Sequence, residues 1–255
     1  MDPILVDDRG DGILVISLNR PDKRNALDFK LLEALSRTLL ELGDHISAVI
    51  LRGSGGEAFS AGFDFNALTG TESDLEADAT IGRASAALSG CPVPVIAQLD
   101  RHCHGAAVEL ALNCDLRVAS DDLEMSLRAV GLGVVYRTQL LIRLVDTIGL
   151  GRTQDLLFGM PVLDAEKALA WGLVSEVVPA GHVQARVEAI AAGLALAPGS
   201  AVRGTKATLT LIADSSASAA VITAAHAWRH AAAGSDERKR ALAAARTKLR
   251  KSARR

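Results

Sequence analysis

Glu109 is the one charged residue between Gly105 and Asp115, in the run G-A-A-V-E-L-A-L-N-C-D. The apolar stretch Val93 to Leu99 before it reads as a buried strand, and Ala106 to Asn113 as a short helix. Gly105 permits the tight turn between them. A strand that turns into a helix at a glycine leaves the first amides of that helix without intrahelical acceptors, at the positive end of its dipole. Such a spot suits a developing anion. A carboxylate three residues after Ala106 falls on the same helical face, in reach for proton transfer at an activated carbonyl compound. On spacing alone, the ordinary reading of Glu109 is a solvated surface carboxylate.

Just upstream stand His102 and His104, two residues apart at a strand end and therefore pointing the same way. His104 could move a proton near neutral pH, or serve as a hydrogen-bonded structural group. A metal ion held by His102 and His104 would need further ligands that the sequence does not locate, so no metal is expected.

The elements that must position these residues follow from periodicity. Gly12 to Asn19 and Ala48 to Arg52 read as strands, with Leu31, Leu32, Leu35, Leu39 and Leu42 at helical spacing between them. Asp115 to Ser120 and Leu173 to Pro179 read as two more strands, and Asp164 to Trp171 as a helix closed by Gly172. Thr69 to Thr80 is polar and acidic and reads as a mobile loop. Strands alternating with helices imply an α/β fold. From Ala180 onward the chain reads as helical and alanine-rich, and Pro198-Gly199 divides residues 1–197 from a helical region, 198–255.

Composition excludes several function classes. Hydrophobic residues at 49% against 23% charged indicate a folded globular chain. Aromatics at 3% argue against base-stacking platforms, so no nucleic-acid partner is expected. No apolar run reaches membrane-spanning length, and Met1-Asp2-Pro3 lacks a signal-peptide pattern. Cys91, Cys103 and Cys114 are odd in number with no C-x-x-C spacing, which fits a reducing cytoplasm. Asp236 to Arg255 carries nine Lys or Arg against two acidic residues, and is read as a solvated helix end or a polyanion contact.

Four motifs, in order, carry a resemblance: R-P-D-K-R-N-A-L (Arg20–Leu27), A-F-S-A-G-F-D (Ala58–Asp64), the Gly105–Asp115 run, and A-E-K-A-L-A-W-G-L-V-S-E-V-V-P (Ala165–Pro179). Together they resemble the enoyl-CoA hydratase/isomerase, or crotonase, superfamily. The resemblance implies a spiral of ββα units with a C-terminal helical trimerisation region, a homotrimer or dimer of trimers, and a coenzyme A thioester substrate. It implies no permanently bound cofactor, coenzyme A entering as part of the substrate. By motif position, the N–H groups of Phe63 and Ala106 would form an oxyanion hole. Lys23, Arg24 and Ala26, with Ala61, Phe63, Asp64, Phe65, Asn66 and Gly105, would hold the thioester and its nucleotide tail.

Several positions depart from the family pattern. The glycine triplet is Gly105-Ala106-Ala107, and the second glutamate of an ordinary hydratase is replaced by Ala129. The glycine-rich segment after it is shortened to L-G-V-V-Y-R (Leu132–Arg137), similar to the methylmalonyl-CoA decarboxylase branch, whose tyrosine corresponds to Tyr136. That branch has a histidine where Phe63 stands. Three readings follow: a lyase or isomerase using Glu109 with Tyr136 or His104 in support; a malonyl-type decarboxylase using Tyr136; and a protein that binds acyl-CoA without turnover.

Overall fold

The computed structural model describes residues 2–214, 230 and 235–252. The sequence-predicted alanine-rich helical region lies partly outside the described residues, as does the end of the basic tail. Eight strands are described: β1 (Ile4–Asp8), β2 (Ile13–Leu18), β3 (Ala48–Gly53), β4 (Val95–Leu99), β5 (His102–His104), β6 (Leu116–Ser120), β7 (Glu124–Ser126) and β8 (Glu176–Val178). Six form one sheet in the order β1-β2-β3-β4-β6-β8, and β5 pairs with β7 in a second. Only β1–β2 is antiparallel; the other pairings are parallel and are reached by crossovers.

The helices α1 (Phe29–Leu40), α2 (Leu75–Ser89) and α3 (Ala106–Leu112) provide the crossovers that join β2, β3, β4 and β6. Asp28 caps α1 by accepting from the Leu31 amide, and Leu31, Leu32, Leu35 and Leu39 bury its inner face. Both faces of the sheet are covered, which explains why β2 is buried throughout. Leu14, Ile16 and Leu18 point into the large core beneath α1 and α2. Ile13 and Val15 alternate onto the opposite face with Ile50, Ile96 and Val118, against Val183, Val187 and Ala191 of α6 (Val183–Leu196). Two apolar faces set the registers, because a one-residue slip would exchange them.

Between β7 and β8 lie α4 (Thr138–Phe158), broken at Gly149 where φ is +77°, and α5 (Ala165–Trp171), capped by Asp164 and ended by left-handed Gly172. After α6 come α7 (Gly199–Asp214) and α8 (Asp236–Ser252). α6 and α7 are bent by 110° at the break between them. No single described helix is long and apolar enough to cross a membrane. The three cysteines are free and buried.

The stretch read as a loop through Thr80 is shorter than expected, because α2 begins at Leu75. Ahead of it the Asp74 carboxylate accepts from the amides of Thr69 and Gly70 and from the Thr69 hydroxyl, which folds the polar residues into a compact turn. The edge strand β1 and the three-residue strands β5 and β7 are absent from the periodicity reading.

α7 is tied to the core by Lys206, 6% exposed, whose ammonium donates to the carbonyls of Leu88 and Val93 and to Asp115 Oδ2 at 2.7 Å. The same Asp115 oxygen accepts from the Val95 amide at the start of β4. Asp115 is itself exposed, so what Lys206 contributes is its charged hydrogen bonds and not the rescue of a buried carboxylate. Lys206→Ala is therefore expected to cost about 2 kcal/mol of stability, read by chemical denaturation. Thr208→Ala, on the exposed side of the same helix, should change it by less than about 0.5 kcal/mol.

Candidate active site

The site is built where residues 58–63 run alongside β5. The amide of Ser60 donates to the His102 carbonyl and that of His104 to the Ser60 carbonyl, at 3.0 and 3.1 Å. Gly62 sits at φ +90°, and a Cβ there would lie 2.5 Å from the His104 carbonyl oxygen and 3.6 Å from the Ala106 nitrogen. Only glycine permits so close an approach. Gly105, at φ +56°, turns β5 into α3, and its amide is held by the Ser126 carbonyl at 2.8 Å. The amides of Phe63 and Ala106 follow these two glycines, and among the described residues neither finds an acceptor. Both residues line a cavity of about 480 Å³.

Glu109, one turn into α3, lines the same cavity and is 4% exposed, so the surface reading of it fails. Its Oε1 accepts from Arg137 Nε at 3.0 Å and from the Ser85 hydroxyl at 3.3 Å. Burial pushes the Glu109 carboxyl above its usual range; Arg137 and Ser85 pull the other way, and Asp78 adds to the rise. Arg137 is a residue that sequence reasoning missed. It stands at the N-terminus of α4, and its Nη1 also donates to the Asp78 carbonyl. The guanidinium passes so close to Gly82 that a Cβ there would fall 1.5 Å from Nη1. The available signal was an arginine directly after Tyr136, with a glycine at the middle of α2. The Glu109–Arg137 pair also forms one wall of a second cavity of about 420 Å³, whose lining includes Ser85, Asn113, Arg143 and Asp146.

Tyr136 is buried, and its hydroxyl oxygen accepts from the Ala129 amide at 3.0 Å. Its own O–H has no acceptor among the described residues, and burial pushes the phenol well above its usual range. Ala129 also lines the cavity, placing a methyl group there.

His104 reaches the cavity wall, with Nδ1 2.9 Å from the Ser126 hydroxyl. Burial, reinforced by His102, lowers its pKa to about 4. Burial likewise lowers that of His102, against the pull of Glu124. Both imidazoles are therefore neutral at neutral pH. The parallel register sets His102 opposite Glu124 and His104 opposite Ser126, so all four side chains share one face of the small sheet. His102 Nδ1 lies 3.4 Å from Glu124 Oε2.

Ala61, Phe63 and Phe65 line the cavity with Gly105 and Ala106, whereas Lys23, Arg24, Ala26, Asp64 and Asn66 lie outside its wall. Burial would raise the Asp64 carboxyl, but the Asn66 amide, Arg20 and Lys23 outweigh it and hold it below the usual range. Asp64 thus clamps the Arg20–Leu27 loop through Arg20 at 2.9 Å and Lys23 at 3.3 Å. Asn25, 1% exposed at φ +54°, fixes that loop from beneath by donating to the carbonyls of Ser54 and Ala58. Arg24 is exposed, and its side chain has no partner among the described residues. Leu75, Ala77 and Ile81 of α2 and Leu242 of α8 complete the apolar part of the cavity.

Residues 8–250 match the family model described as enoyl-CoA hydratase/isomerase. A putative enoyl-CoA hydratase/isomerase of Bacillus subtilis, YngF, is 32% identical over 209 residues, covering 80% of each chain. The crystal structure of an enoyl-CoA hydratase/isomerase from Xanthobacter autotrophicus superposes with a TM-score of 0.84 at 26% identity, covering 96% of this chain and 93% of that one. Methylmalonyl-CoA decarboxylase in complex with 2-nitronate-propionyl-CoA superposes with a TM-score of 0.89, over 96% and 95% of the two chains; at 24% identity this likeness speaks for the fold.

Gly82→Ala is expected to push the Arg137 guanidinium aside and leave Glu109 without its cation. With the charge that opposes burial removed, the Glu109 carboxyl should titrate higher still. Carboxyl-carbon NMR against pH checks the direction, and a downward shift would contradict the pairing.

Proposed function

The chain belongs to the enoyl-CoA hydratase/isomerase family, and from that premise we propose that it acts on a coenzyme A thioester, holding the thioester oxygen with the N–H groups of Phe63 and Ala106. The observation that carries this reading is the pair of adjacent amides with no acceptor among the described residues, on one cavity wall with a buried carboxylate. When the α-carbon loses a proton or a carboxylate, the electron pair moves onto the thioester oxygen as an enolate. Donors already aimed at that oxygen need no reorganisation, and each is worth about 3 kcal/mol in a dry site.

Glu109 is the acid/base group in this reading. Its raised pKa brings it toward the range where a carboxyl both takes and gives a proton efficiently. Hydration needs a second group to handle the water and the α-proton, and Ala129 supplies none. Hydration of a 2-enoyl thioester is therefore expected to be slower than in a two-glutamate enzyme by about 10²- to 10⁴-fold.

A second reading, decarboxylation of a malonyl-type thioester, is favoured by one observation. The Tyr136 hydroxyl lines the cavity with its proton uncommitted, while Glu109 is occupied by Arg137 and Ser85. Loss of carbon dioxide generates the enolate without a base, and Tyr136 would orient the departing carboxylate or protonate the product. For the nucleotide tail, Lys23 is already engaged with Asp64, so exposed Arg24 is the better phosphate contact. Assembly into a homotrimer or dimer of trimers is supported by the exposed apolar side chains Leu196, Leu209, Leu211 and Ile212 on α6 and α7.

A panel of 2-enoyl, 3-enoyl, malonyl-type and aryl CoA thioesters, with products read by mass, tests the reading. On the best substrate, Ala106→Gly should retain turnover, whereas Ala106→Pro, which removes the donor, should abolish it with the fold intact by circular dichroism. An active, folded proline variant sinks the oxyanion assignment.

Two further variants separate the chemistries. Where Glu109 moves the proton, Glu109→Gln should lower kcat by about 10²-fold or more with affinity unchanged, and Tyr136→Phe should be mild. Decarboxylation reverses that order. Saturable binding of several thioesters with turnover of none would leave a binding protein.

A further inference from the structure

His102, His104 and Glu124 offer three ligand atoms that all lie within 4.8 Å of one another. We propose that these three side chains form a site for a divalent transition-metal ion, zinc by the nature of the donors, on the wall of the acyl cavity. Two imidazoles and one carboxylate are the donor set of zinc sites that keep a coordination position open.

The sequence gives no hint of the third ligand. Glu124 is twenty-two residues after His102 in the chain, and only the β5–β7 register places the two opposite each other. A tetrahedral zinc with bonds of about 2.0–2.1 Å sets its ligand atoms roughly 3.4 Å apart. His102 Nδ1 and Glu124 Oε2 already stand at 3.4 Å. The cluster needs to contract only toward His104, and Glu124, half-exposed at a strand end, has the freedom to do it.

Two details of the hydrogen bonding point the same way. His102 Nδ1 is buried without a hydrogen-bond partner, which is costly for a ring nitrogen unless something else engages it. His104 uses Nδ1 against the Ser126 hydroxyl, leaving Nε2 free. A second polar partner that fixes tautomer and ring orientation is what metal-ligating histidines ordinarily have. Arg24, Arg101 and Arg128 lie close enough to act on the two rings and oppose a dication, against Glu124 and Asp122 in its favour. The affinity expected is accordingly below that of a closed structural zinc site.

His104 and Glu124 both line the cavity that holds the free Phe63 and Ala106 amides. The open coordination position then faces the cavity, where it would take an oxygen donor such as an acyl carboxylate. This last step rests on the acyl-CoA reading; the metal site does not. The proposal also departs from the metal-free site expected from sequence.

The test uses chelator-stripped full-length protein with no CoA ester present. Zinc titration by calorimetry should give one site per chain, and cobalt should give visible bands typical of four- or five-coordinate N/O ligation. Glu124→Gln, a conservative change at a half-exposed position, should weaken zinc at least about 100-fold, and Ser126→Ala about 10-fold. Unchanged binding in Glu124→Gln overturns the site. So does binding lost instead in His226→Ala/His230→Ala, a pair at metal-binding spacing elsewhere in the sequence. Adding succinyl-CoA to cobalt-loaded protein should shift the bands; unshifted bands overturn the placement of the open position while leaving the metal site standing.

Discussion

Two peptide groups from distant parts of the chain, 62–63 and 105–106, must lie almost in contact while their amides remain unclaimed. Folded proteins rarely leave a buried backbone donor without a partner. Here the neighbouring amides are all spoken for: Leu27 donates to the Gly62 carbonyl, Asp64 to the Leu27 carbonyl, and Gly105 to the Ser126 carbonyl. These bonds fix the two peptides on both sides and leave the donors between them pointing at the cavity. The approach is possible only because Gly62 carries no Cβ to strike the His104 carbonyl. The pairing of residues 58–63 with β5, the clamp of the Arg20–Leu27 loop by Asp64, and the β5–β7 ladder all maintain this one juxtaposition.

The electrostatics around it are a contest between burial and pairing. Glu109 is buried deeply enough to favour protonation, yet a guanidinium donates to it. Arg137 itself is held by the Asp78 carbonyl and by the absence of a side chain at Gly82. Burial raises the carboxyl while Arg137 and Ser85 pull it back, and His104 and Tyr136 are both kept neutral by burial. The charged residues on the cavity wall, besides the Glu109–Arg137 pair, are Asp74, Asp78, Glu124 and Arg128.

The family and the course of the main sheet were legible because they rest on local signals. The leucines of α1, the apolar runs of β2 through β4, and the Asp164 and Gly172 caps of α5 each announce themselves within a dozen residues. Glu109 was legible too, as a lone charge in an apolar helix. The strands β5 and β7 were not, because three residues cannot display a period. Arg137 and Glu124 escaped for a related reason. Their partners lie twenty-eight and twenty-two residues away, and nothing local marks them as facing the site. Thr69 to Asp74 looked mobile because its composition is polar, yet those polar groups bond one another through the buried Asp74 carboxylate.

The last wall of the cavity comes from a helix remote in sequence from the rest of the pocket. Leu242 of α8 lies against the cavity, and Arg246 donates to the carbonyls of Phe65 and Leu68, the first of these 181 residues earlier in sequence. The other residues that shape the pocket lie between 61 and 162. Without α8 that side of the pocket would stand open to bulk water, which weakens electrostatic interactions inside it. Leu242 is not part of the apolar core that holds the sheet, so one long-range contact ties the dryness of the pocket to a helix the core does not include.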